Sequence, residues 1–377
     1  MKKVGIISFN KYANFTNYGS ALQTWAVFNT INRLGNGDYE AVFVDYCPKV
    51  HLDKDILNPM KHMFDQDAES QHACEVTLPA IRENFFKFDN FYNERFKKTT
   101  TRYTYENFNQ IVDVDDIYKF VCGSDTIFCT LEFNGFDEGY FANFPCMRGN
   151  AISYAASFGD ATFDEETYPI LNERLKNFKA LGIRENKFVP YIQEHINVPC
   201  QKTIDPTLLL TTEDYDTIAA DRIIEDKYIL LYARRYNPKM FAYADKLAKE
   251  NGYKVIDISL RAETLKDKHE PWYKAGVEEF ISLVKYAEFV VTNSFHGLIF
   301  AVQYRKPFVV FTREQAGSKI DELLELFDLH QHMMVNGDEK CPASIDYDKV
   351  HARIQSAREE SLNFFKNSLK QLLYDNQ

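Results

Sequence analysis

The chain has 377 residues, 45% hydrophobic and 26% charged, with 55 acidic against 44 basic side chains for a net charge of -11. That length points to two domains, each with its own core, and the composition excludes a disordered, collagen-like or coiled-coil chain. The acidic excess and the lack of any long Lys/Arg cluster exclude a nucleic-acid binder, so an anionic ligand needs a local site of basic groups and helix N-termini.

Seven cysteines, at positions 47, 74, 122, 129, 146, 200 and 341, are scattered and form no CxxC pair. Neither a disulfide framework nor a zinc site is expected, which fits a reducing compartment. Lys2 and Lys3 are followed by the apolar run Val4 to Phe9, too short for a signal-peptide core or a membrane span. The expected location is cytoplasmic, with at most peripheral contact at the inner face of the membrane.

Short apolar runs alternate with polar turns and segments of helical period, the pattern of βαβ units and parallel sheets. The first group is Val4–Phe9, Ala41–Tyr46, Phe120–Gly123, Ala151–Ala156 and Leu181–Arg184; the second is Lys227–Ala233, Lys254–Ser259, Phe289–Asn293 and Phe308–Thr312. A proline-containing, aperiodic stretch from Val198 to Thr207 separates them. The expected organisation is an N-terminal α/β domain over residues 1–200 with an irregular insertion at 48–118, a C-terminal α/β domain over 201–350, and a closing helix over 351–377. Within the insertion, Phe85, Phe88, Tyr92 and Phe96 form a helical stripe that reads as packing. In the closing helix Ile354, Ala357, Leu362, Phe365, Leu369 and Leu372 mark one apolar face.

In chain order, the first candidate site is Asn17-Tyr18-Gly19-Ser20, before a helix expected from near Ala21 to Gly35. Its polar groups can cap the helix and leave N–H donors for an anion or a sugar hydroxyl. Next, Ser124 and Asp125 follow a strand end where ligands collect in open α/β sheets. Asp125 suits either a helix N-cap or a base that contacts an acceptor hydroxyl. The strand ending in Ser157-Phe158-Gly159 reads as packing. Another strand delivers Arg184, whose planar fork suits a carboxylate or phosphate, with an ion pair to Glu185 as the competing reading. The strongest local signal is Thr292-Asn293-Ser294-Phe295-His296-Gly297, which sets a histidine at a strand-to-helix switch before a helix expected near Leu298. Arg234, Arg313 and Lys319 follow strand ends or precede a helix and are lesser anion contacts.

Seven stretches, Asn17-Tyr18-Gly19-Ser20-Ala21-Leu22-Gln23, Val44-Asp45-Tyr46, Cys122-Gly123-Ser124-Asp125, Ser153 to Gly159, Arg184-Glu185, Asp205 to Leu210 and Thr292 to Gly297, resemble in order the polysaccharide pyruvyl transferase family. The resemblance implies two Rossmann-like domains facing a cleft, similar to the GT-B glycosyltransferases. It implies phosphoenolpyruvate as donor and a sugar of an envelope polysaccharide or its lipid-linked precursor as acceptor, with no cofactor and no metal. His296 then matches the family's donor-site histidine, a general acid, and Arg184 a position that binds the donor's anionic groups. Ser294 and Gly297 flank that histidine, while Asn17, Tyr18, Gly19, Ser20 and Ser124 fall on the other conserved-type stretches and line the substrate side. Where many members carry Arg two residues before the histidine, this chain has Ser294, which leaves Arg313, Lys319 and Arg234 as candidates for that contact. Thr126 and Phe128 stand where Gln and Trp are usual. The rival readings are a nucleotide-sugar transferase, on the Glu314/Glu322 spacing, and a non-catalytic sugar- or anion-binding relative.

Overall fold

The structure, a computed structural model, describes residues 1–13, 15–55, 57, 68–259, 269–312, 317–340 and 344–374. Six parallel strands make the first sheet: β1 (Lys2–Ile7), β2 (Tyr39–Phe43), β3 (Lys119–Cys122), β4 (Ala151–Ala156), β5 (Phe178–Ile183) and β6 (Cys200–Lys202), in the order β2-β1-β3-β4-β5-β6. Its helices are α1 (Tyr18–Gly35), α2 (Ala68–Arg95), α3 (Ile111–Asp115), α4 (Thr167–Leu175) and α5 (Val189–His195), and the short α6 (Thr212–Asp216) leads onward. Strand β4 is buried along its whole length and β5 at every position but Lys179, as strands covered on both faces must be, and this is why they read as largely apolar runs.

The second sheet contains β7 (Tyr228–Tyr232), β8 (Lys254–Asp257), β9 (Glu270–Pro271), β10 (Phe289–Thr292), β11 (Phe308–Phe311) and β12 (Met333–Met334). Its helices are α7 (Pro238–Asn251), α8 (Val277–Tyr286), α9 (Phe295–Gln303) and α10 (Gly317–Phe327). All its pairings are parallel, in the order β12-β11-β10-β7-β8-β9, the doubly wound strand order of dinucleotide-binding folds. The last helix, α11 (Tyr347–Tyr374), begins in the second domain, where Val350 and Ile354 join its core, and crosses back to the first. There Phe365, Leu369 and Leu372 pack beside Tyr154 of β4, with the Phe365 and Tyr154 rings stacked at 4.3 Å.

All nine expected strands form. The three additional ones, β6, β9 and β12, are edge strands of two or three residues, too short to show a period of two. Because β6 pairs with β5, the first sheet extends to Lys202 and the division expected at 200/201 cuts into a strand.

The insertion's helical stripe does more than cover its own domain. Phe88 and Tyr92 of α2 belong to one continuous core with Tyr18 and Trp25 of α1 and Phe280 of α8, so the apolar interior runs through the domain junction. Tyr18 stacks on Phe280 at 4.6 Å, and Lys87 pairs with Glu279 at 2.8 Å on the rim.

Candidate active site

In each sheet the strand order reverses at one point, between β1 and β3 in the first and between β7 and β10 in the second. Ligands of such folds collect at the carboxyl ends of the strands beside that reversal. The two reversal points face each other here, and the motifs singled out from the sequence sit on them.

On the first side, β3 is followed by Gly123 at φ +133°, where a Cβ would stand 2.2 Å from the Tyr154 carbonyl oxygen, so only glycine fits. Asp125 follows at φ +70°, a left-handed conformation that costs a residue with a side chain. Its Oδ1 accepts the Thr126 N–H at 2.9 Å, and its Oδ2 accepts the Ser20 hydroxyl at 2.5 Å. Helix α1 starts at Tyr18, not near Ala21, because Asn17 caps it by accepting the Gly19 N–H at 3.0 Å. Gly19 and Ser20 therefore lie in its first turn.

On the second side, α9 starts at Phe295, not near Leu298, because the Ser294 hydroxyl accepts the Gly297 N–H at 3.2 Å. That early start carries His296 on the first turn of a helix. Its ring lies directly on Gly19 of the opposite domain, where a Cβ would come within 1.8 Å of Nδ1. His296 is 6% exposed, more enclosed than the open rim expected from the sequence, and the covering comes from α1 of the facing domain.

Asp205 joins the two sides. Its Oδ1 accepts from the Thr207 N–H at 3.0 Å and hydroxyl at 2.6 Å, and its Oδ2 accepts from Arg184 Nη1 at 3.1 Å. His296 Nε2 stands 3.4 Å from the same Oδ2, within ion-pair range but outside hydrogen-bond geometry, and has no other hydrogen-bond partner among the described residues. Burial opposes ionisation of Asp205, yet His296, Arg184 and Thr207 outweigh it and hold the carboxyl well below its usual range. Asp125 is depressed in the same way, with Arg184, His296 and Ser20 overcoming its burial.

Arg184 is the most heavily partnered group: Asp205 at 3.1 Å, Glu185 at 3.5 Å, Asp125 at 3.7 Å, and the Phe295 ring under its guanidinium at 4.8 Å. Of the two sequence readings of this residue, the pair with Glu185 forms, while the guanidinium expected to clamp a carboxylate or phosphate is engaged by these three carboxylates of the chain itself. Lys319, in the first turn of α10, is equally buried but has no carboxylate paired with it among the described residues. Burial, reinforced by the charge of Arg184, pushes its ammonium below the usual lysine range. Arg184, Lys319, Glu185, Asp205 and Phe295 line a cavity of about 240 Å³ between the domains and α11.

Other expected contacts turn away from this cavity. Tyr18 is fully buried in the aromatic core and donates its hydroxyl to the Ala275 carbonyl at 2.9 Å. Ser124 gives its N–H to Gln23 at 2.7 Å and its hydroxyl to the Ala155 carbonyl. Gly297 is a packing position, since a Cβ there would strike the Thr292 hydroxyl at 2.4 Å. Arg234 lies over the Phe15 ring at 4.4 Å and donates its N–H to Asn293 at 2.7 Å. Phe128 stacks on Phe141 at 4.6 Å, and the Thr126 hydroxyl donates to Glu132 at 2.7 Å. Arg313 and Glu314 lie outside the described residues. Glu322, the other half of the Glu-x7-Glu spacing, pairs with Lys202 at 2.7 Å and accepts the Asn186 N–H at 3.2 Å, a contact between domains. Sequence reasoning had Asp205 only as part of a motif; its place between Arg184 and His296 emerges from the fold. Among the described residues no cluster of His, Cys, Asp and Glu could hold a metal ion, and no helix is long and apolar enough to cross a membrane.

Similar folds occur in the S. aureus MnaA–UDP co-structure (15% identity, 98% of this chain and 91% of that one, TM-score 0.48) and the UDP-GlcNAc 2-epimerase of Methanocaldococcus jannaschii (12% identity, 94% and 92%, TM-score 0.49). The E. coli ADP-heptose heptosyltransferase II is more distant, at 9% identity over 96% and 99% with a TM-score of 0.36. Likenesses this remote say nothing about substrate. No curated protein sequence matches the chain. The family model described as polysaccharide pyruvyl transferase matches residues 17–315, which takes in Asp125, Arg184, Asp205 and His296. The chain is a transferase and belongs to the polysaccharide pyruvyl transferase family.

Proposed function

We propose that the protein moves the pyruvyl group of phosphoenolpyruvate onto two hydroxyls of one sugar, forming a ketal on an envelope polysaccharide or its lipid-linked precursor. The observation that carries this reading is the meeting of Arg184, Asp205 and Lys319 around one cavity at the domain junction, with Asp125 and His296 set behind them against Arg184 and Asp205. A small donor bearing a carboxylate and a phosphate needs a cation not already neutralised, and a proton source beside it. Lys319 supplies the first, since Arg184 is engaged by three carboxylates. His296 supplies the second.

In this reading the imidazolium gives its proton to the donor's methylene carbon, and the central carbon becomes electrophilic. One sugar hydroxyl adds there and loses its proton toward Asp125, forming a C–O bond. The C–O bond to phosphate then breaks as the second hydroxyl bonds to the same carbon in its place, its proton leaving with the departing phosphate, which releases inorganic phosphate and closes the ketal. Asp205 orients the imidazole and, with Arg184, holds the junction's charge in place. His296 does not line the cavity as it stands, so proton transfer requires the domains to part at the Gly19–His296 contact when the donor enters. Phosphoenolpyruvate is a cytoplasmic metabolite, which sets the reaction in the cytoplasm or at the inner face of the membrane.

The test is phosphate release from phosphoenolpyruvate in the presence of acceptor. His296→Gln should lower it by about 10²–10⁴-fold, the range for a positioned acid. Turnover equal to wild type would remove His296 from the chemistry.

A further inference from the structure

A second groove lies on the first domain between the edge strand β6 and the C-terminal half of α11, with a volume of about 440 Å³. Its walls carry the carboxamides of Gln201, Asn363, Asn367 and Gln371, with the ring of Phe364 between them. On α11 these residues recur every three or four positions, so they form one face of the helix. None of the four carboxamides is engaged by another protein group among the described residues. Phe364 is half-buried because its ring edge rests on β5, where Gly182 leaves room: a Cβ there would approach Phe364 Cε1 at 3.1 Å.

The groove adjoins the cavity of the candidate active site. Glu360 lines both, and β6 contributes Lys202 to one and Gln201 to the other. From Ala357 at the cavity to Gln371 at the far end, the rise of a helix gives a run of about 21 Å.

We propose that this groove is an acceptor subsite that binds sugar units of a glycan chain lying outside the reacting unit. A carboxamide offers both donor and acceptor, matching hydroxyls that also do both. An exposed aromatic face suits the apolar side of a pyranose ring. The wall carries one charge, Glu360, at the cavity end, so nothing along its length favours an anionic lipid or a nucleic acid. The inference rests on the reading that the acceptor is a saccharide; it adds that recognition extends beyond one sugar and that α11 performs it.

The test uses the polysaccharide of the source cells, freed of ketals by mild acid, cut into sized fragments and titrated against the full-length protein. Wild type should bind fragments of four or more sugars more tightly than a disaccharide. The triple variant Asn363→Ala, Asn367→Ala, Gln371→Ala should lose that gain, with affinity for long fragments down about tenfold or more and disaccharide affinity unchanged. Alanine at exposed helix positions preserves the fold, which circular dichroism verifies. Equal affinity of both proteins for long fragments, or no length dependence in wild type, would overturn the proposal. Phosphate release from phosphoenolpyruvate, measured on wild type with the same fragments, keeps the two readings apart: length-dependent binding lost in the variant upholds the groove even where no phosphate appears.

Discussion

Two cations share one buried cavity and have opposite company. Arg184, at the end of β5, is surrounded by Asp205, Glu185 and Asp125, whereas Lys319, at the start of α10, has no paired carboxylate among the described residues. Burial opposes the charge of both; at Arg184 the paired carboxylates outweigh it and raise the pKa, whereas at Lys319 Glu185, Asp125 and Glu132 act without forming an ion pair and do not outweigh burial and the charge of Arg184. The difference teaches that a cation's type and its place at a strand end do not identify it as a ligand contact; what it already holds does. Arg184 keeps three carboxylates together, and in the function proposed above Lys319 is the cation left for the incoming donor.

Substitutions separate these roles. Arg184→Ala should have the largest effect, since it strands buried carboxylates without their counter-charge: a loss of about 3–5 kcal/mol in unfolding free energy, read by denaturant titration. Stability within 1 kcal/mol of wild type, on the scale of about 1 kcal/mol for an ordinary substitution, would mean the carboxylates do not depend on it. Gly19→Ala comes next. Its Cβ overlaps the His296 ring, so the imidazole has to move, and kcat should fall by about 10²-fold while the fold survives. Retained turnover would show that the closed Gly19–His296 contact has no part in the catalytic cycle.

Lys319→Met should cost about 10–100-fold in phosphoenolpyruvate affinity, the worth of one charge-assisted hydrogen bond, and leave stability unchanged or higher because it removes a buried unpaired charge. The smallest effect is in acid. Asp205 and Asp125 have folded-state pKa values below their unfolded ones, so their contribution is fully present above the usual carboxylate range. It is lost only as pH falls through the depressed values. The melting temperature should therefore hold steady from neutrality down to about pH 4 and drop below that; a drop centred between pH 5 and 6 would contradict the assignment.

The central strands were legible because covered parallel strands are apolar without interruption, as in β4, β7 and β10. The edges β6, β9 and β12 were not, being shorter than any period. The helices begin three residues earlier than expected, at Tyr18 and Phe295, because each is preceded by several polar residues able to cap it and the sequence does not say which one does; Asn17 and Ser294 are the caps. That error hid the main geometric fact of the site, a glycine in one first turn receiving an imidazole from another. Asp205 was invisible as a hub for a different reason: its partners come from β5 and α9, and no spacing in the chain records a contact across domains.

The account is tested most directly by phosphoenolpyruvate-induced thermal stabilisation of wild type and Lys319→Met. Wild type should gain in melting temperature as the ligand is added, because binding to the native state alone stabilises it. The variant should melt at or above the unliganded wild-type temperature and gain little. An equal gain in both proteins, or none in wild type, would contradict the assignment of this cavity as the donor site.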